Sequence, residues 1–333
     1  MQASFVYASR LNSYKFRPDL FEWNYGPSDI RDLIRRANQV SELNAVVLNY
    51  PEHFENNNLS QVEDAISDTS LVVGGINMRY PEPLFLEGAF TNPDPNKRRA
   101  AIEITQQAVD ICRRLGAPHL VIWLGYDGFD YPFQLDYARA WDWTIDGIRT
   151  VADYAGDLKI SIEYKPADPR RFSLIGDVGT TLLAIEECNR PNIGVTLDFC
   201  HMLMAKESPA MAAALCHRHS RLFGLHLNDG YGSLDDGLMV GSVNLTQTIE
   251  LIYYMVASGY DDIVYFDTFP VREDPVKECA ANIQRVNRMV SIATKIQAQN
   301  AGHHIDRDEM RSCMGNQDGL CISQILWEAL FPP

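Results

Sequence analysis

The chain has 333 residues, 46% of them hydrophobic and 22% charged, with a net charge of −15 and a pI of about 4.9. That length suits one large α/β domain or two smaller ones, and no apolar stretch is long enough to span a bilayer. A surface this acidic repels phosphate backbones, which argues against nucleic acid as a partner. The amino terminus, MQASFVYASRLNSYKF, lacks a basic segment followed by an apolar core and does not read as a signal peptide. The seven cysteines form no CxxC pair and no framework spacing, so they are expected to be free thiols in a reducing cytoplasm.

Strands and helices alternate along the chain. SFVYAS near 4–9 reads as a strand, and SDIRDLIRRANQVSEL as a helix capped by Ser28. Strands follow at 44–50 (NAVVLNY) and 71–77 (LVVGGIN). DPNKRRAAIEITQQAVDICRRLGAP is a helix that stops at Gly116. HLVIWLG at 119–125 is the next strand, then a helix at 135–156, a strand at 159–165 (KISIEYK) and a helix at 177–189. Strands at 193–199 (IGVTLDF), 223–228 (FGLHLN) and 262–268 (DIVYFDT) alternate with helices at 208–219, 244–258 and 275–299. Eight strands alternating with helices indicate an all-parallel sheet. The fold class is therefore α/β, a (β/α)8 TIM barrel over residues 1–300. An open doubly wound sheet is disfavoured, because no Gly-rich phosphate loop follows the first strand.

Residues 301–333 read as a C-terminal helical extension. AGHHIDRDEMRSCMGNQDG is polar, and CISQILWEALF then has the spacing of a short amphipathic helix. A barrel complete by about residue 300 does not need that helix. It is expected to make a subunit contact, in a homo-oligomer or with a small second subunit.

Four polar residues close four consecutive apolar runs: Glu163, Asp198, His226 and Asp267. A carboxylate or imidazole ending a buried strand is costly to bury alone, and four that converge share that cost with a divalent cation. Carboxylates plus an imidazole suit Mn²⁺, Mg²⁺ or Co²⁺ better than a structural zinc, which would recruit cysteine. Lys165 follows Glu163 by two residues and points to the same side of the strand, where it can hold a substrate oxygen or move a proton. His201, three residues after Asp198, can hold a substrate hydroxyl or a second ion. Glu163 or Asp267 can double as the base. Tyr50, Glu52 and His53 end the second strand; Trp123 and Asp127 follow the fourth; Asp229, Asp235 and Asp236 lie in the loop after the seventh. Aromatic rings beside polar groups suit a sugar, whose C–H faces pack on rings while its hydroxyls need hydrogen bonds. Trp123, Asp127, Asp229 and Tyr50 are thus the expected substrate contacts, and His119 opens its strand at the far end as a structural residue.

From about residue 74 to 275, in order, the chain resembles the xylose isomerase-like TIM-barrel superfamily, and within it the L-rhamnose isomerase-type sugar isomerases. The resembling stretches are GAFTNPDPNKRRAAIE, IWLGYDGFDYPFQ, IEYKP, TLDFCH and HLNDGYGSLDDGLMVGS. The resemblance implies a metal ligand at Glu163, a catalytic lysine at Lys165, a strand-eight ligand at Asp267 and a ring-opening histidine at His53. It also carries a departure. Hydride-shift isomerases of this type hold a second metal with an Asp-x-Asp pair, whereas this loop reads Asp235-Asp236-Gly237. The expectation is a metal-dependent sugar isomerase or epimerase, working by proton transfer through an enediolate or by hydride shift. The alternative is the catalytic subunit of a C-glycoside deglycosidase, a lyase cleaving a 3-oxo-glycoside with one metal and a small partner subunit.

Overall fold

The computed structural model describes residues 5–21, 29–55, 59–300 and Trp327. In chain order the strands are β1 (Val6–Arg10), β2 (Ala45–Tyr50), β3 (Val72–Met78), β4 (His119–Ile122), β5 (Gly128–Phe129), β6 (Lys159–Glu163), β7 (Phe172–Ser173), β8 (Ile193–Asp198), β9 (Leu222–Leu227) and β10 (Ile263–Phe266). All but β5 and β7 form a closed parallel barrel with neighbours in the order β1-β10-β9-β8-β6-β4-β3-β2. The two short strands pair with each other, antiparallel, in the loops above it.

The helices are α1 (Ile30–Ala37), α2 (Leu59–Ser67), α3 (Pro95–Leu115), α4 (Tyr137–Ala155), α5 (Val178–Cys188), α6 (Phe199–Met204), α7 (Pro209–Arg218), α8 (Leu245–Ala257) and α9 (Pro275–Asn300). Their ends follow local chemistry. Asp94 caps α3 by accepting from the Asn96 amide, Pro95 occupies the first turn, and Gly116 stops the helix at φ +67°. The cap of α1 is Asp29, which accepts from the amides of Arg31 and Asp32; Ser28, the expected cap, lies outside the described residues. So does the proposed extension over 301–333 apart from Trp327, which is helical and exposed. No described helix is long and apolar enough to cross a membrane. Cys112, Cys188, Cys200, Cys216 and Cys279 are buried free thiols.

Period-two alternation divides each barrel strand between two interiors. On β6 and β8, Ile160, Ile162, Val195 and Leu197 face outward into the large core under the helices. Ser161 and Thr196 face inward and hydrogen-bond to each other at 2.5 Å. Ala8, Ala45, Val47 and Tyr265 pack against one another inside the barrel. The inward series that starts with Ser161 and Thr196 continues, two residues on, to Glu163 and Asp198. The hydrophobic pattern that closes the barrel therefore also aims these acids at its mouth.

Two of the acids expected to touch substrate, Asp127 and Asp229, fasten the loops in this structure. Asp127 is buried and accepts from the Ala89 amide (3.1 Å), the Thr91 amide (2.6 Å) and the Thr91 hydroxyl (2.9 Å). Asp229 is buried and accepts from the amides of Gly230 (2.9 Å), Val243 (2.8 Å) and Asn244 (2.9 Å). Backbone amides in the loops have no ladder partner, and these carboxylates satisfy them. Asp127→Ala would strand two buried amides and is expected to cost about 2–4 kcal/mol. Urea unfolding checks this, and a variant within about 0.5 kcal/mol of the parent would reject the fastening role.

Candidate metal centre and active site

Glu163 ends β6, Asp198 ends β8, His226 lies one residue before the end of β9, and Asp267 directly follows β10. Strand register sets Asp198 and Tyr265 on either side of His226. One ligand atom from each of Glu163, Asp198, His226 and Asp267 lies within 4.8 Å of the others, and all four side chains are buried. His226 Nδ1 is 3.0 Å from Glu163 Oε1, and the Tyr265 ring backs the imidazole at 4.3 Å between centroids. Asp198 accepts from the His201 amide (3.0 Å) and from Asn228 Nδ2 (2.9 Å). Arg10 Nε stands 3.2 Å from Asp267 Oδ1.

This concentration of charge distorts every titration in it. Burial pushes Glu163 up, but the imidazoles of His226 and His201 outweigh it and hold the carboxyl at about 2. At Asp198 burial prevails, reinforced by Asp235 and Glu163 against the opposing His201, and the carboxyl rises to about 7. Burial raises Asp267 as well, although Arg10 opposes it. His201 would be lowered by burial, yet Asp198 and Asp235 lift it to about 9; Glu163 does the same in direction for His226. Protons are here balancing a charge that a cation is better suited to balance. Glu163 Oε2 is buried with no hydrogen-bond partner among the described residues. An orphaned carboxylate oxygen within a set of three carboxylates and one imidazole fits a divalent cation of the Mn²⁺, Mg²⁺ or Co²⁺ type.

Above these residues lies a cavity of about 350 Å³ lined by Arg10, Asn12, Asn49, Glu52, Arg79, Trp123, Glu163, Lys165, His201, Asp235, Asp267 and Phe269. Lys165 Nζ donates to Asp168 Oδ2 (3.0 Å) and Asp235 Oδ2 (3.2 Å) and sits 5.6 Å from the Trp123 ring centroid. Burial would lower its pKa, but Asp235 and Asp168 outweigh it and raise it, which favours the ammonium form. His201 Nε2 is 3.3 Å from the same Asp235 oxygen. Asp235 thus bridges two cations. Asp236 is turned aside and accepts the Tyr231 amide at 2.7 Å. Gly237 follows at φ +59°, where an added Cβ would come within 2.3 Å of the Phe269 ring, and its carbonyl accepts the Phe269 amide at 2.7 Å. Only glycine permits that backbone turn and that close approach.

The structure brings together Glu163, Asp198, His226, Asp267, Lys165, His201 and Trp123. It does not bring His53 or Tyr50 to the cavity wall. His53 is buried, accepts the Asn49 amide at Nδ1 (2.9 Å) and meets Asn12 Oδ1 through Nε2 (2.8 Å). Burial lowers its pKa to about 4, so it is a neutral ring that positions Asn12 and Asn49. The Tyr50 hydroxyl donates to Gln107 at 2.9 Å and its ring packs on Phe54. Arg10, Asn12, Asn49, Arg79 and Phe269 were not singled out from the sequence. Arg10 ends β1 as Glu163 ends β6, so the strand-end rule reaches it once polar residues of either sign are admitted.

Residues 30–288 match the xylose isomerase-like TIM barrel family, and the chain belongs to it. A xylose isomerase from Thermus thermophilus is 31% identical over 217 residues, covering 63% of this chain and 56% of the relative. The chain thus spans little more than half the length of that curated relative. Among solved structures, a D-tagatose 3-epimerase-like protein superposes with a TM-score of 0.71 at 13% identity, covering 87% of this chain and 99% of the other. An L-ribulose 3-epimerase gives 0.69 at 15% identity, covering 91% and 100%. At such identities these two likenesses show a shared barrel fold.

Removing one acid from the cluster should empty it. Asp198→Asn is expected to lose bound divalent metal on dialysis, measured by elemental analysis; a stoichiometric ion in that variant would refute the four-residue site. His53 gives a pH signature. Its folded pKa of about 4 lies below the ordinary 6.5, so its contribution to stability is present above pH 6.5 and lost as pH falls through 4. Relative to the parent, His53→Gln is expected to gain about 3 kcal/mol between pH 7 and pH 4. A pH-independent difference in unfolding free energy would show that the ring is not held neutral.

Proposed function

We propose that this member of the xylose isomerase-like TIM barrel family is a divalent-metal-dependent sugar isomerase or epimerase. It works by proton transfer through an enediolate, with Mn²⁺, Mg²⁺ or Co²⁺ held by Glu163, Asp198, His226 and Asp267. The observation that carries this reading is the convergence of those four buried side chains beneath a polar cavity lined by Lys165 and His201. The cation, when bound, supplies Lewis-acid polarisation of a substrate carbonyl.

The rest falls to the chain itself. Glu163 and Asp267 stand on barrel strands three steps apart, through β8 and β9, and both line the cavity. One carboxylate takes the proton from the carbon beside the carbonyl. If the other enters as the carboxylic acid, its proton delivered to the opposite face inverts that carbon; return of the abstracted proton to the neighbouring carbon, with the hydroxyl proton passing to the former carbonyl oxygen, moves the carbonyl. The Lys165 ammonium donates a hydrogen bond to the oxygen that gains charge, and His201 to its neighbour. Asp235 holds both donors in place. The Trp123 face takes the C–H side of the sugar, and Arg10 sets the orientation of Asp267.

The loop favours one ion per chain. A second site of the Asp-x-Asp kind needs two inward carboxylates. Here Asp235 already faces two cations, and Asp236 is committed to the Tyr231 amide. A single-turnover reaction with a ketose panel in D₂O is expected to place solvent deuterium on the carbon beside the carbonyl. Product without deuterium, from protein holding two tight ions, would instead indicate a hydride shift. Cleavage of a 3-oxo-glycoside, with no free sugar turned over, would replace isomerisation by a lyase reaction. Lys165→Met is expected to keep its metal and lose about 10²–10⁴ in kcat, the range typical of a positioned proton or charge donor. Near-parental kcat would reduce Lys165 to a charge balancer.

A further inference from the structure

Arg79 lines the cavity and, among the described residues, has no carboxylate within ion-pair distance, feeling only the field of Glu163; from this we infer that the substrate is a sugar acid, a polyhydroxy keto compound whose carboxylate is received by Arg79. The inference rests on the isomerase or epimerase reading and deepens it. Every other cation of the cavity wall has a carboxylate beside it. Arg10 has Asp267 at 3.2 Å, Lys165 has Asp168 at 3.0 Å and Asp235 at 3.2 Å, and His201 has Asp235 at 3.3 Å. Glu52, the remaining acid on that side, is taken by Lys15 at 2.6 Å and by the side-chain amides of Asn12 and Asn49, each at 2.9 Å. Among the described residues Arg79 forms no ion pair, and its guanidinium makes no hydrogen bond.

The guanidinium is nevertheless held in place. The Arg79 amide donates to the Tyr50 carbonyl at 2.8 Å, which fixes the backbone at the end of β3. Its Cζ lies 4.9 Å from the Trp123 ring centroid, so the cation rests against the indole. Trp123 Nε1 is itself buried without a hydrogen-bond partner. The cavity wall formed by β3 and β4 thus keeps a fixed fork of N–H donors and a spare indole N–H. A carboxylate matches that fork with two parallel charge-assisted bonds, whereas a hydroxyl uses one donor and leaves the charge uncompensated. A chain of net charge −15 gains nothing from an unpaired surface cation at long range. The local match is what a cation placed here can select.

The test compares sugars that differ only in the acid group. Calorimetry on the full chain loaded with Mn²⁺ would use D-tagaturonate against D-tagatose and D-fructuronate against D-fructose. The acid of at least one pair is expected to bind about 100-fold more tightly than its neutral partner, the discrimination typical of a charged hydrogen-bond pair. In Arg79→Gln that ratio should collapse to about threefold or less, and Arg79→Lys should recover part of it as a point charge without the fork. Thermal melts would confirm that both variants are folded, and Arg79→Lys serves alone if Arg79→Gln is not. Equal binding of acid and neutral sugar by the parent, or a preference that survives in Arg79→Gln, would overturn the inference. Turnover is read separately. Neutral sugar turned over without any acid preference sinks only the Arg79 assignment. An intact binding preference with no turnover of either class sinks only the isomerase reading.

Discussion

The site depends on one electrostatic constraint: three carboxylates and two imidazoles are buried together at the mouth of a barrel whose walls are apolar. Each acid would resist burial alone, and their mutual repulsion raises the cost further. The surrounding residues meet that constraint. His226 is drawn against Glu163, Arg10 against Asp267, and Asn228 donates to Asp198. Among the described residues they leave Glu163 Oε2 unsatisfied, in a group of four side chains that could hold a cation.

The same constraint accounts for the second tier of charges. Asp235 adds a further anion, and the structure answers it with two cations, Lys165 and His201, on one oxygen. That arrangement favours the charged form of Lys165 in a buried position. It depends on a loop that could slide if it were not pinned. Gly237 accepts the Phe269 amide and packs under its ring, while Asp236 ties the loop back to Tyr231. Asp229 anchors the two ends of that same loop, and Asp127 another mouth loop, in the same way through backbone amides. The residues that hold the mouth in shape are as acidic as those that line it, and only their partners tell them apart.

The cavity has two halves of different character. The half built from β6 to β10 carries the ligand-type acids and the proton-handling groups. The half built from β1 to β4 carries Asn12, Asn49, Arg79 and Trp123, with neutral His53 setting the first two. The two halves meet where Arg10, at the end of β1, reaches Asp267.

The sequence by itself determined the barrel, because period-two and period-three-to-four hydrophobic spacing records which residues must leave water. All eight strand runs and the helices from Pro95 onward, the brief α6 apart, were legible in that way. The four strand-end residues were legible too, since a polar side chain closing a buried run needs a reason to be there. What remained illegible was partnership. Asp127, Asp229 and Asp235 look alike in sequence, as three acids in polar loops. Yet the first two bind backbone amides and the third faces Lys165 and His201. His53 follows a strand end much as a catalytic base would, but burial behind Asn12 and Asn49 makes it a neutral support. Arg10 and Arg79 were not singled out, because an arginine at or just after a strand end is usually a solvated charge. Only the tertiary structure decided that one meets Asp267 and that the other, among the described residues, forms no ion pair. Burial is written along the chain because it follows local periodicity. Pairing is set by residues tens to hundreds of positions apart, whose proximity exists only once the barrel has closed.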